Sequence, residues 1–273
     1  MHLILPRGEA AGRARSRRAF AIALGLPLVL HAAASGAWAY EAVAVPDGGV
    51  LTGTVKFVGT PPRLDPIRVT KTREVCGEIK ESEALIVGSD GGVAGSVVLI
   101  EGITRGKKPE GELVIDNHHC LFVPHVSAVM TGVRVWIKNS DPTLHNTHGL
   151  LGTRIGAKTT LFNVALPTPG QTIEITRKLG QIGPVRLVCD AHPHMLGWVY
   201  LHDNPYVTVT NARGAFRIEG IPPGSYRTTM WHEAFRPSTV TKDGRPRYDE
   251  PQTVTQEVAI GAGTIVKIDF ELR

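Results

Sequence analysis

Short apolar runs, each closed by a glycine or a proline within a few residues, are the feature that most limits how this chain can fold. The 273 residues include 30 glycines and 19 prolines. The runs between them are short and rich in β-branched residues, as in V-K-F-V at 55–58, S-V-V-L-I at 96–100 and P-V-R-L-V at 184–188. No long stretch has an apolar pattern of helical period. The sequence therefore predicts an all-β protein.

The first 39 residues have the pattern of a secretory signal peptide. Arginines open the segment, an apolar run follows from Phe20 to Leu30, and Ala37-Trp38-Ala39 supplies a small-x-small cleavage pattern. The run is shorter than a membrane span requires. S-R-R-A-F at 16–20 is similar to a twin-arginine signal, which exports folded proteins. We expect a periplasmic or otherwise exported protein with no integral membrane segment after the signal is removed.

Removal of the leader also removes most of the net charge. The leader carries five arginines and one glutamate, a net +4 of the whole chain's +5, which leaves +1 for residues 40–273. The basic isoelectric point therefore belongs mainly to the signal. The mature charge gives no reason to expect a nucleic-acid partner.

Three cysteines, Cys76, Cys120 and Cys189, remain in the mature chain. An exported compartment permits disulfides, but an odd number leaves at least one thiol unpaired or acting as a ligand. A bond between Cys76 and Cys120 would leave Cys189 free. The sequence does not fix this pairing.

Two groups of strands divide the mature chain. The stretch 121–138 predicts a strand pair with its turn at Met130-Thr131-Gly132, and the polar stretch 139–148 predicts a loop. After Asn204 the turns N-A-R-G and I-P-P-G separate short strands at the spacing of a small antiparallel sandwich. We therefore expect a first domain over 40–202, with an N-terminal β extension, and a second over 203–273.

The loop C-D-A-H-P-H-M at 189–195 concentrates side chains that bind soft metals. His192 follows Cys189 at an interval of three, and Met195 follows His192 at the same interval. Such intervals do not place all three side chains on one face of a strand, and Pro193 opposes a helix. A tight loop folded around one atom fits this pattern best. A fourth ligand would then come from His145, which lies in a loop after another strand.

The ligand set of two histidines, one cysteine and a weak methionine favours copper. A thiolate and a thioether stabilise Cu(I), whereas imidazole tolerates Cu(II). Zinc also accepts cysteine and histidine but has little use for methionine. The residues therefore predict one copper ion held by His145, Cys189, His192 and Met195.

These segments resemble the cupredoxins, the blue copper proteins. C-D-A-H-P-H-M-L-G is similar to the copper loop of the amicyanins, with the spacing C-x-x-H-P-x-M, and N-S-D-P-T-L-H-N at 139–146 resembles the segment that supplies the first histidine. The resemblance implies a Greek-key β-sandwich, the four copper ligands named above and a redox partner protein. It also implies that Asn146 steadies the loop bearing the cysteine. Val188 departs from the pattern, in which an aromatic residue often precedes the cysteine.

A second resemblance covers the C-terminal strands. The stretch 207–233 resembles the carboxypeptidase regulatory-like β-sandwich module, and G-T-V-K-F-V-G-T-P-P at 53–62 resembles the opening strand of the same module. Together the two likenesses imply an exported protein of the methylamine-utilisation or plastocyanin-like type, in which the module is not catalytic. They also suggest that sandwich strands flank or interrupt the cupredoxin part.

The remaining histidines allow other interpretations. His148 and His194 are additional metal-ligand candidates, although we expect His148 to face solvent and His194 to be a surface neighbour of the site. H-H-C-x-x-x-x-H at 118–125 would form a second metal site or contain a structural cysteine. W-H-E at 231–233 would form a polar cluster or pack at the domain junction.

Three functional hypotheses follow from these features. The first is single-electron transfer by one copper ion, with His192 in a surface loop as the exit toward a partner. The second is copper storage or delivery, which the extra histidines favour. The third is a binding module with a structural metal. An enzyme is not expected, because such a site leaves no open coordination position for a substrate.

Overall fold

The computed structural model describes residues 40–152, 159–240 and 246–273; the expected signal peptide lies outside these ranges. Apart from one short helix and one 3-10 turn, every regular element of the described chain is a strand, which confirms the predicted fold class. The elements up to residue 139 are β1 (Glu41–Ala42), β2 (Gly49–Phe57), β3 (Ile67–Arg68), α1 (Arg73–Cys76), β4 (Ile79–Lys80), β5 (Ile86–Val87), β6 (Val93–Ala94), β7 (Val97–Ile100), β8 (Arg105–Gly106), β9 (Glu112–His118), β10 (Leu121–Val123), β11 (Val126–Met130) and β12 (Arg134–Asn139).

The later elements begin with the strand that carries His145. They are β13 (His145–Leu151), β14 (Thr160–Leu166), β15 (Thr172–Glu174), a 3-10 turn (Thr176–Lys178), β16 (Gly183–Val188), β17 (Leu196–His202), β18 (Val207–Val209), β19 (Ala215–Ile221), β20 (Gly224–His232), β21 (Pro237–Val240), β22 (Pro246–Tyr248), β23 (Gln252–Ile260), β24 (Ile265–Lys267) and β25 (Phe270–Leu272). In the described ranges, no helix is long and apolar enough to cross a membrane.

Four sheets stack face to face in two sandwiches. The first sandwich pairs the sheet β10-β9-β12-β15 with the sheet β11-β17-β16-β13-β14. The second pairs β18-β7-β20-β23 with β19-β2-β24, and β25 also pairs with β2. One apolar core fills each sandwich, and a third, smaller core joins their inner sheets.

Strand β7 shows how the two sandwiches share the chain. Val98 and Ile100 point into the core of the second sandwich, whereas Val97 and Leu99 point into the core between the sandwiches. Because side chains alternate between the faces of a strand, all four residues are buried. The uninterrupted apolar run at 97–100 is therefore explained by burial on both faces of the strand.

The second sandwich draws strands from both sides of the expected domain boundary. β2 pairs with β19, and β7 pairs with β18 and β20, so strands that precede residue 203 complete both of its sheets. The first sandwich lies between β7 and β18 in sequence. The division at 202–203 stays a prediction, while the pairing places β2 and β7 with the C-terminal strands.

The expected hairpin over 121–138 is wrong, although its strands exist. β11 pairs in parallel with β17, whereas β12 pairs with β9 and β15 in the opposite sheet. Gly132, at a φ of +88°, lies in the turn between them. The reason is burial: Val126 packs in the core between the sandwiches, while Val135 and Ile137 fill the first core.

A buried polar cluster lies where the two sandwiches meet. The indole N–H of Trp198 donates to Oε2 of Glu233 over 2.8 Å, and Nε2 of His125 is bonded to Oε1 of the same carboxylate. Oε2 of Glu83 lies 3.7 Å from Nδ1 of His125. Burial lowers the pKa of His125, but the charge and hydrogen bond of Glu233 outweigh it, so the pKa is raised. W-H-E at 231–233 thus contributes both to a polar cluster and to packing, since Trp231 lies against Trp198.

Candidate metal centre

The predicted ligands come together where two neighbouring strands end. Strand β13 begins at His145, and β16 ends at Val188, immediately before Cys189. The two strands pair antiparallel, with His148 opposite Val188. The prediction of a loop over 139–148 is therefore wrong for its last four residues, which the sheet holds as a strand. This pairing brings His145 to the cysteine from 44 positions away.

Three donor atoms face one point in the protein interior. Nδ1 of His192 lies 3.6 Å from Sγ of Cys189, and Nδ1 of His145 lies 3.9 Å from it. A metal bonded to nitrogen at about 2.0 Å and to sulfur at about 2.3 Å holds those atoms roughly 3.5–3.8 Å apart. The three side chains are at most 1% exposed. The spacing of these donors therefore fits a single ion between them.

Met195, the fourth predicted ligand, is buried in the core of the first sandwich. It is 1% exposed and packs in the same core cluster as Cys189. Its backbone N–H donates to the carbonyl of His192 over 3.0 Å, which closes the turn before β17. The thioether is thus buried in the same core as the thiol.

The outer nitrogen of each histidine has its own partner. Nε2 of His145 lies 2.9 Å from Oδ2 of Asp141, and Nε2 of His192 lies 3.0 Å from Oγ1 of Thr72. Histidines that bind metals usually donate their second N–H in this way, which fixes the tautomer and the ring orientation. Both rings therefore present Nδ1 to the sulfur. Neither Asp141 nor Thr72 was predicted from the sequence to take part in the site.

Asp141 ties this site to a neighbouring turn. Its carboxylate also accepts the backbone N–H groups of His119 and Cys120, each over 2.7 Å. Its position four residues before His145 was the available signal in the sequence, since a histidine near an acidic residue often has it as an outer partner. Thr72 has no comparable signal, because it is 120 positions from His192.

Asn146 holds the cysteine loop in place. Its Oδ1 accepts the backbone N–H groups of Asp190 and Ala191 over 2.8 and 3.1 Å, and it lies 3.4 Å from Sγ of Cys189. Its Nδ2 donates to Asn163 and to Asp190. This is the role that the cupredoxin resemblance implied for Asn146.

Burial sets the protonation of the donors. It lowers the pKa of His192 to about 4, with the neighbouring His145 and His194 adding to the effect. It also lowers the pKa of His145, although Asp141 opposes the shift. Both imidazoles are therefore neutral and able to bind a metal at neutral pH. Burial raises the pKa of the Cys189 thiol, so an incoming cation must displace a proton.

His148 and His194 lie outside this donor set. Nδ1 and Nε2 of His148 lie within hydrogen-bond distance of Asp190 and Thr160, and its side chain is 20% exposed. The expectation that His194 lies at the surface is wrong. It is 4% exposed, because its Nε2 is bonded to the carbonyl of Cys120 over 3.2 Å in the first core. Nδ1 of His194 is buried without a hydrogen-bond partner among the described residues.

The motif H-H-C-x-x-x-x-H contains a structural cysteine. Cys120 is bonded to Cys76, with the Cα atoms 5.4 Å apart, so Cys189 takes no part in this disulfide. Within the described ranges, His118, His119 and His125 do not belong to any cluster of three side chains whose ligand atoms lie close enough together to share a metal ion. One group does join Cys120 to Asp141 and His145, but a disulfide sulfur is not a thiolate ligand.

Comparisons with known proteins find only partial structural similarity to solved proteins. No protein-family model matches the chain, and no curated protein matches it. A copper-containing nitrite reductase from Thermus scotoductus is 16% identical with a TM-score of 0.28, over 35% of this chain and 25% of the reductase. This chain thus matches a quarter of that enzyme's length.

Two smaller copper proteins match over nearly their whole length. A purple cupredoxin from Nitrosopumilus maritimus is 22% identical, with a TM-score of 0.28, over 34% of this chain and 100% of that protein. An amicyanin from Paracoccus versutus is 17% identical, with a TM-score of 0.29, over 38% of this chain and 97% of the amicyanin. Scores this low establish neither a family nor a function for this chain.

Proposed function

We propose that this chain is an exported protein that binds one copper ion through His145, Cys189, His192 and Met195 and transfers single electrons. The observation that carries the proposal is the placement of one sulfur 3.6 and 3.9 Å from two imidazole Nδ1 atoms that face it. Each ring is held from behind by a separate partner, Asp141 or Thr72.

The donors suit an ion that changes between two oxidation states. Bound copper would accept or release one electron, stabilised as Cu(I) by the sulfur ligands and as Cu(II) by the imidazoles. The chain's part is to keep the donors in one compromise geometry. Cys189 and Met195 are fixed in an apolar core, and the histidines are fixed by hydrogen bonds, so little rearrangement accompanies the change of charge.

Loading with Cu(II) tests this proposal directly. The mature protein should show intense visible absorption from the thiolate-to-copper transition, together with the electron paramagnetic resonance signal of a copper–thiolate site. Cys189→Ser should abolish the absorption, whereas His148→Gln, the matched control outside the donor set, should retain it. A colourless Cu(II) complex of the wild-type protein would contradict electron transfer by such a site.

Copper storage or delivery is a second candidate, favoured by His194. Its Nδ1 is buried beside the donor set and lacks a hydrogen-bond partner in the described part of the chain, so it is available to a cation. This role predicts rapid transfer of Cu(I) to a competing chelator and a slower transfer in His194→Gln. Slow transfer at the same rate in both proteins would leave electron transfer as the better explanation.

The exported location and the second sandwich complete the proposal. The Cys76–Cys120 disulfide supports an oxidising compartment, as does the leader pattern. We assign the second sandwich, with its likeness to the carboxypeptidase regulatory-like module, to docking or spacing rather than to catalysis. A redox protein is the partner that this scheme requires.

A further inference from the structure

A separate segment covers the side of His192 that was expected to face solvent. His192 is 1% exposed, and its Nε2 lies 3.0 Å from Oγ1 of Thr72. Thr72 belongs to a folded segment over residues 67–80, which we call the lid. The expectation that His192 lies in a surface loop is therefore wrong, because the lid occupies the space outside the ring.

The lid is a compact hairpin with one helical turn at its tip. β3 pairs antiparallel with β4, and the N–H of Val69 donates to the carbonyl of Glu78 over 3.0 Å. Helix α1 connects the two strands, with the N–H of Cys76 donating to the carbonyl of Thr72 over 2.9 Å. Val69 and Cys76 are buried in the same core cluster as Cys189. The lid is thus packed onto the site rather than resting loosely on it.

Thr72 adopts a backbone conformation that its residue type disfavours. Its φ of 54° and ψ of 41° lie in the left-handed region, where a β-branched residue is an outlier. Thr72 precedes α1, yet its side chain makes no capping bond to that helix, and Oγ1 lies against His192 instead. Strained residues of this kind persist where the surrounding structure holds them, often at functional sites.

A disulfide fastens the lid to the turn that orients the other histidine. Cys76 in the lid is bonded to Cys120, whose backbone N–H donates to Asp141 over 2.7 Å. The same carboxylate holds Nε2 of His145. The outer nitrogens of both predicted histidine ligands are therefore held by one connected structure, formed by the lid, the disulfide and the Asp141 turn.

We propose that the lid is a built-in closure of the metal centre, in which Thr72 is a positioning residue for His192 and the partner exchanges electrons across the lid. Holding Nε2 from outside keeps Nδ1 directed at the sulfur of Cys189. The electron route rests on the proposed copper function, whereas the closure is a property of the metal-free chain. The two parts can therefore fail separately.

Chemical labelling of the metal-free protein tests the closure. Diethyl pyrocarbonate modifies accessible neutral imidazoles, and mass spectrometry of the peptides gives the rate at each histidine. His192 should react at least about tenfold more slowly than His118, which is exposed and serves as the internal control. Equal rates at His192 and His118 in the folded wild-type protein would overturn the lid.

A matched pair of variants tests Thr72 itself. Thr72→Val keeps the shape and loses the hydroxyl, so labelling at His192 should rise about five- to tenfold, the value of one hydrogen bond. Thr72→Ser keeps the hydroxyl and should stay within about twofold of wild type. After copper loading, the valine variant alone should show a changed reduction potential and a shifted visible band. Identical labelling in both variants would remove the positioning role.

The double variant Cys76→Ala and Cys120→Ala tests the fastening. If it folds, labelling at His192 should exceed that of Thr72→Val, and continued protection would show that the disulfide does not hold the lid. If it does not fold, the Thr72 pair decides the proposal. Protection of His192 without blue colour on copper loading would leave the closure standing and reject only the copper function.

Discussion

Two histidine clusters in this molecule have pKa values that are shifted in opposite directions. At the metal centre, burial and neighbouring imidazoles lower the pKa of His192 to about 4. At the junction between the sandwiches, the carboxylate of Glu233 outweighs burial and raises the pKa of His125. The environment of the same side chain therefore favours the neutral form in one place and the charged form in the other.

The two clusters differ in which atoms the nearest carboxylate contacts. Glu233 is bonded directly to His125, so the junction cluster neutralises its own charge. At the metal centre the one buried carboxylate, Asp141, contacts the outer nitrogen of His145 and also accepts two backbone N–H groups. The inner nitrogens and the thiol are left facing one another, which is an arrangement that a soft cation can satisfy.

Breaking the junction pair should have the largest effect on stability. Glu233→Gln removes the partner of a buried charge, and we expect the free energy of unfolding to fall by about 3–5 kcal/mol in urea titrations. The copper spectrum should not change, because the cluster is separate from the donors. Glu219→Gln, at an exposed ion pair, is the control and should cost about 1 kcal/mol or less.

A double variant shows whether charge is the cause. Glu233→Gln combined with His125→Gln leaves no unpaired charge, so part of the lost stability should return. If the double variant loses as much free energy of unfolding as the two single variants lose together, packing rather than charge dominates the junction.

Removing the carboxylate beside the predicted metal ligands should instead lower the affinity for copper. Asp141→Asn weakens the hold on Nε2 of His145, so the affinity for Cu(I), measured by competition with a chelator, should fall about 10- to 100-fold. Asp47→Asn, at an exposed position of the second sandwich, should leave the affinity unchanged. An unchanged affinity in Asp141→Asn would mean that the carboxylate only supports the turn at Cys120.

The pH dependence of stability should separate the clusters by sign. His192 and His194 have pKa values lowered from 6.5 to about 4, mainly by burial, so the unfolded chain binds more protons within that range. The stability of the metal-free protein should therefore fall as the pH drops from 6.5, by at most about 1.4 kcal/mol per pH unit for each histidine.

His125 should contribute with the opposite sign. Because its folded pKa is raised, its stabilisation is complete below 6.5 and is lost as the pH rises through the folded value. Urea titrations that start at pH 4 and continue above the folded pKa of His125 should show an acid limb and an alkaline limb of falling stability in the wild type, and Glu233→Gln should lose only the alkaline limb. Loss of the acid limb in that variant would contradict the assignment.

Local patterns in the sequence predicted much of the fold and the central donors. The apolar alternation of β2 and the uninterrupted run of β7 predicted strands correctly, since burial on one or two faces leaves a direct pattern. The intervals within 189–195 indicated Cys189 and His192, and the structure places them together with His145. Each of these inferences depends on residues that are close in sequence or on one plausible sheet edge.

Long-range packing accounts for what the sequence did not predict. Nothing in 121–138 shows that β11 and β12 belong to opposite sheets, because the apolar content of a strand does not name its partner. The burial of His194 depends on the carbonyl of Cys120, 74 positions away. The lid is likewise not evident in the sequence, since Thr72 and His192 are 120 positions apart.

The interleaving of β2 and β7 with the C-terminal strands sets an order for biogenesis. The hydroxyl of Thr52 bonds to the carbonyl of Phe216, 164 positions later, so the second sandwich cannot close until nearly the whole chain has been made. The strands of the first sandwich are complete by residue 202, inside a second sandwich that still has open edges. A chain interrupted soon after residue 202 would therefore carry an assembled first sandwich together with β2 and β7 lacking their partner strands, a form prone to aggregate rather than to retain partial function.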